Sequence, residues 1–133
     1  MTPKNILTLI GALLGLQGIG LFLGAEAITT EAFALWSPDD TGLKIGTMLH
    51  QAMGALSLSI GIILFSARSL APAAGAKVLT GAAIGLLITT GQAFFHMATT
   101  EVKPPLPLLI MMTILAVVAF VTANKAKGSS DAA

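Results

Sequence analysis

The sequence has no cysteine, no tyrosine and a single tryptophan, and only 10% of its 133 residues are charged. Without cysteine there is no disulfide, no thiol nucleophile and no thiolate-ligated zinc. A soluble domain carries about a quarter charged residues. The seven Lys/Arg and six Asp/Glu here cannot supply a solvated shell, and they form no basic patch for nucleic acid. A net charge of +1 points to no partner. What the chain does have is 55% apolar residues, 14 glycines and a mean hydropathy of +0.89. That excludes a disordered tail and an ordinary soluble enzyme, and it describes an integral membrane protein.

The positions of the charges say more than their number. Long uncharged runs separate Lys4 from Glu26, Lys44 from Arg68, Lys77 from Glu101 and Lys103 from Lys125. A spanning helix needs about 20 apolar residues, and lipid obliges each span to satisfy its own backbone hydrogen bonds. Four spans are therefore expected at 5–25, 44–67, 77–100 and 104–124. They fill one membrane domain, 1–133, and leave no room for a soluble one. The fold class is all-α: a four-transmembrane-helix antiparallel bundle with a short interfacial helix in the first outer loop.

Orientation follows from the loops. The first loop holds Glu26, Glu31, Asp39 and Asp40 and no base, whereas the second holds Arg68 and Lys77 and no acid. Lys4 precedes the first span, and Lys125 and Lys127 follow the last. The positive-inside rule puts both termini and the second loop in the cytoplasm, as expected of a multi-pass protein of the inner (plasma) membrane. The acidic loop and the Glu101–Lys103 turn face outward. Lys4, the apolar run and Ala25-Glu26-Ala27 also look like a signal peptide with its cleavage site. The run exceeds the usual apolar core of such peptides, so an uncleaved first span is expected.

Within the first loop, residues 29–36 suit a short interfacial helix with Trp36 at headgroup level. Ser37-Pro38-Asp39-Asp40 reads as a helix start, with Ser37 as N-cap, Pro38 in the first turn and two acids on the helix dipole. That reading outweighs one of Asp39 and Asp40 as an acid/base pair. Pro104, Pro105 and Pro107 open the fourth helix, where a missing N–H costs little.

Membrane helices pack through small residues. Gly11/Gly15 and Gly20/Gly24 in the first span, Ser57/Gly61 in the second and Gly81/Gly85 in the third have the required spacing. Gly11, Gly15, Gly54, Gly61, Gly81 and Gly85 are the expected packing positions. The fourth span has no glycine after its prolines and is expected to present more surface to lipid or to a partner subunit.

A polar pattern runs through the middle spans. His50, Gly54, Ser57 and Gly61 form one helical stripe, and His96, Gln92, Thr89 and Gly85 form another. Polar groups within a span usually face the bundle interior. If Arg68 and Lys77 mark one level, an antiparallel hairpin sets His50 and His96 within about 1.5 Å of the same depth. Gln17 and Thr113 fall about one turn further in. His50, His96, Gln92, Gln17 and Thr113 thus form a candidate pocket in the outer half of the bundle.

Three readings of these residues stay open. They can hydrogen-bond between helices and set register only. They can bind a lipophilic ligand bearing carbonyl groups, such as a quinone or a lipid headgroup. Or His50 and His96 can ligate the iron of a haem b, with Phe94 and Phe95 beside it and Lys44 or Lys103 meeting propionates. No intramembrane carboxylate is present to orient either ring, and no third ligand favours a free metal ion. Catalysis has no support, since nucleophile–base pairs and phosphate loops are absent. A channel or transporter would need a homo-oligomer, because four short helices enclose no pore.

In outline the chain resembles the small four-span bacterial membrane proteins called DoxX-like. The shared features are a Gly-rich first span, an acidic first loop, a small-residue second span ending at Arg68, and a fourth span opened by Pro104 and Pro105. The resemblance covers nearly the whole chain as a hydropathy outline and transfers no functional residue. It implies a membrane subunit, in some cases of a quinone-linked redox system. The functional expectation is therefore an accessory or ligand-binding protein of the lipid bilayer, as a homo-oligomer or with a partner membrane subunit. A haem- or quinone-binding redox subunit is the alternative.

Overall fold

The computed structural model describes residues 1–101 and 106–130. Among these, five α-helices and one 3-10 turn make up the protein, with no strand. The helices are α1 (Pro3–Leu23), α2 (Ala25–Ala32), α3 (Asp40–Ala67), α4 (Pro72–Thr99) and α5 (Leu106–Ser130), and the 3-10 turn covers Ala34–Trp36. α1, α3, α4 and the Leu106–Gly128 part of α5 are each long and apolar enough to cross a membrane. Between 17% and 39% of the apolar window in each is buried. The apolar side chains mostly face outward, which suits lipid as the solvent and not water.

The helices overrun the expected spans. α3 begins four residues before Lys44, and α4 begins at Pro72, five before Lys77. A charge marks where the chain leaves the hydrocarbon, but the backbone goes on bonding to itself beyond that level. Pro72 is in the first turn of α4, where its missing N–H is free. Pro107 likewise lies in the first turn of α5. Lys103, Pro104 and Pro105 lie outside the described residues.

The start of α3 differs from expectation. Ser37 is not its cap. Ser37 takes a left-handed conformation (φ 44°, ψ 56°) at the end of the 3-10 turn, and the cap passes to Asp39. Asp39 Oδ1 accepts from the Gly42 N–H at 2.7 Å, and Asp40 opens the first turn. A carboxylate does both jobs there, accepting from an orphan N–H donor and complementing the dipole.

Backbone contacts divide the chain into two compact units, Gly11–Phe65 and Met1–Ile10 with Ser66–Ala133. In the first unit, the part of α1 from Gly11 onward and α3 run antiparallel with their main chains in contact. A Cβ on Gly61 would meet Gly15 N at 2.6 Å and Gly11 O at 2.8 Å, and a Cβ on Gly18 would meet Leu58 N at 2.5 Å. Ser57 Oγ adds a hydrogen bond to the Leu14 carbonyl at 3.0 Å. Such close approach requires glycine and creates contact area without any hydrophobic driving force. Gly20, expected on this seam, has nothing within 4 Å of its Cβ position, and Gly18 takes its place.

In the second unit α4 and α5 pack together. Thr99 and Leu106 stand seven residue steps apart, which reach at most about 25 Å, short of the roughly 42 Å length of α4. α5 must therefore return antiparallel. Here two expectations are corrected. Gly81 and Gly85 are exposed, with nothing within 4 Å. The buried stripe of α4 is Gly75, Ala76, Leu79, Ala83, Leu86 and Thr90. The fourth span is not the most lipid-facing one; its window is the most buried of the four, at 39%. Ala116, Ala119 and Ala123 are fully buried, so alanine provides the close packing that the absence of glycine had argued against.

Candidate functional site

His50 stands on α3 one turn after Gly46, and the two residues together receive the first-loop segment. Gly46 is buried, and a Cβ there would lie 2.5 Å from Thr29 Cγ2 and 2.7 Å from Phe33 Cε2. The missing side chain is what lets α2 lie against α3. Thr29 is fully buried and touches His50 across the gap.

The hydrogen bonds here determine which ring nitrogen carries the proton. Thr29 Oγ1 donates its single proton to the Ala25 carbonyl at 2.7 Å. Toward His50 Nδ1, 2.9 Å away, it is left as an acceptor. The Gly46 carbonyl, also 2.9 Å from Nδ1, can only accept. Both contacts need a proton on Nδ1, so the network assigns it there. In the neutral ring Nε2 then presents a lone pair. Among the described residues nothing bonds Nε2, and no buried side-chain nitrogen or oxygen lacks a partner. Nε2 is therefore open to the surroundings of the protein.

Phe33 meets the imidazole edge-on at 6.4 Å between centroids, and Trp36 packs on Phe33 at 5.6 Å. Phe33 is half-buried and Trp36 exposed. A ring fixed through Nδ1, with Nε2 free, can accept a hydrogen bond from a ligand or coordinate a metal centre. Among the described residues no group of three or more His, Cys, Asp or Glu could hold a metal ion.

The other expected pocket residues are distributed as follows. Gln17 belongs to the same unit as His50, is half-buried and makes no side-chain hydrogen bond among the described residues. Gln92, His96 and Thr113 belong to the other unit. Thr113 Oγ1 turns back to the Leu109 carbonyl at 2.8 Å and Thr89 Oγ1 to Gly85 O at 3.0 Å, so neither offers its proton to a pocket. Gln92 and His96 are exposed on α4, and His96 stacks edge-on with Phe95 at 6.0 Å. This stripe was expected to face inward; it lies opposite the buried stripe of α4. Buried Thr90 bonds to its own helix at Leu86 O.

Thr29, Phe33 and Gly46 were missed in the sequence. Their one signal is spacing. Ala25 and Thr29 on α2 and Phe33 at its C-cap recur every four residues, and Gly46 precedes His50 by four. In an eight-residue helix that stripe is too short to stand out.

Compared with known proteins, the chain matches no family model, no curated protein and no solved structure.

Proposed function

We propose that this is a non-catalytic, ligand-binding or accessory protein of the inner (plasma) membrane, with both termini cytoplasmic and its ligand site at His50. One observation carries the reading: a partly buried histidine has one ring nitrogen tied to Thr29 and Gly46 and the other left open, with the Phe33 ring edge-on to its imidazole. An open nitrogen on an imidazole fixed through its other nitrogen is available to a ligand. Membership of the DoxX-like group belongs to this proposal and rests on the four-span outline. Native mass spectrometry of the protein ejected from its own membranes tests it. A small molecule retained by the wild type and lost in His50→Ala is the expected result; identical spectra would refute it.

A second copy of the chain as partner is part of the same proposal. Gly81, Gly85, Gln92 and His96 share an exposed face of α4, and an amide left in lipid is costly. The chain lacks cysteine, so Gln92→Cys should give a disulfide-linked dimer on oxidation, and Ile114→Cys on α5 should not.

Haem binding is the second reading. A ligating histidine normally donates its other N–H to a carbonyl or similar acceptor, and His50 Nδ1 does so. A Soret band in wild-type membranes, absent in His50→Ala, would establish it; colourless, fully folded protein would end it.

A further inference from the structure

We infer that the ligand of the His50 site is an amphiphile that donates a hydroxyl proton, specifically an aromatic alcohol on an apolar tail. The inference rests on the ligand-site reading above and narrows it. It also reverses the expectation that carbonyl groups on the ligand would be recognised.

The chemistry follows from the direction of each bond. The buried Thr29 hydroxyl is committed to the Ala25 carbonyl. The Nδ1 proton is committed to Thr29 Oγ1 and Gly46 O. Without the Nδ1 proton, the Nδ1 lone pair would face the oxygens of Gly46 and Thr29, both acting as acceptors. The neutral imidazole is therefore held as an acceptor at Nε2. A ligand carbonyl would set lone pair against lone pair. A ligand hydroxyl completes a continuous chain from ligand O–H to Nε2, and from Nδ1–H through Thr29 to Ala25 O.

Surroundings define the rest of the molecule. Phe33 lies edge-on to the imidazole, and Trp36 packs on Phe33; a flat aromatic head fits against the Phe33 ring in offset or edge-on contact. Exposed Leu49 and Met53 on the neighbouring turns of α3 extend the apolar surface for a tail. Within the Gly11–Phe65 unit His50 is the only histidine, so a ligand that needs one acceptor is fully served there, whereas bis-histidine ligation is not.

The test uses the full-length protein in phospholipid nanodiscs, with 4-octylphenol and its methyl ether as probes and empty nanodiscs as the partition control. Trp36 is the only tryptophan, so its emission reports on the site without a label. Saturable binding of the phenol, about tenfold tighter than that of the ether, is expected, with the preference abolished in His50→Phe. Equal saturable binding of both probes, lost in His50→Phe, would overturn the donor inference and leave the ligand site standing. Non-saturable partition of both would remove the ligand site as well. A phenol preference that survives in His50→Phe would overturn the inference. Imidazole nitrogen NMR of the wild type gives a check independent of any variant's folding. A protonated Nδ1 and an unprotonated Nε2 are expected, and the opposite tautomer would overturn the inference.

Discussion

Gly54 and Phe22 touch through their main chains: a Cβ on Gly54 would stand 2.6 Å from the Phe22 nitrogen. Gly54→Ala must therefore push α1 and α3 apart. The expected cost is about 1–3 kcal/mol, typical of overpacking, and is read as a lower unfolding midpoint in detergent. Gly20→Ala is the control. Its site is open, and alanine is the better helix former by about 1 kcal/mol, so no loss is expected.

Thr29→Val keeps the shape of the side chain and deletes the hydroxyl that faces His50 Nδ1. Interhelical hydrogen bonds in membranes average about 0.6 kcal/mol and reach about 1.7 kcal/mol. A destabilisation in that range is expected by equilibrium unfolding, with Thr29→Ser close to wild type.

Gly46→Ala should act at a distance along the chain. The added methyl would meet Thr29 and Phe33, and Phe33 packs on Trp36. A shift in Trp36 emission without loss of helical circular dichroism is the expected outcome; an unchanged spectrum would contradict the contact.

Asp39, and not Ser37, caps α3. Asp39→Ala should cost about 1 kcal/mol in a melt, and Ser37→Ala less than about 0.5 kcal/mol.

A reporter enzyme fused after Ala133 should be active only in its cytoplasmic form. That outcome follows from the proposed orientation, in which the positive-inside rule puts Arg68, Lys77, Lys125 and Lys127 in the cytoplasm, and a periplasmic signal would refute it.

The four long helices were legible because lipid leaves few options: an uncharged run of the right length must be a helix. Their ends were less so, because Lys44 and Lys77 mark the edge of the hydrocarbon and say nothing about where backbone bonding stops. Spacing alone found Gly11, Gly54 and Gly61, yet it misjudged α4. Glycine and alanine are both small enough to pack, and with apolar side chains on every face no periodicity tells the inner stripe (Ala76, Ala83) from the outer one (Gly81, Gly85). His50 stood out as a polar group in an apolar run. Its partners did not, because Thr29 and Phe33 are ordinary residues of a loop helix, and they acquire meaning only when Gly46 admits them to α3.

The contact between Thr29 and His50 also fixes an order of events in biogenesis. The two residues stand 21 positions apart in segments made one after the other, so the contact needs α3 to be present beside α2. The tautomer of His50 is therefore set only once those two helices meet. A chain halted before that point holds every residue of the site, yet no acceptor of defined direction.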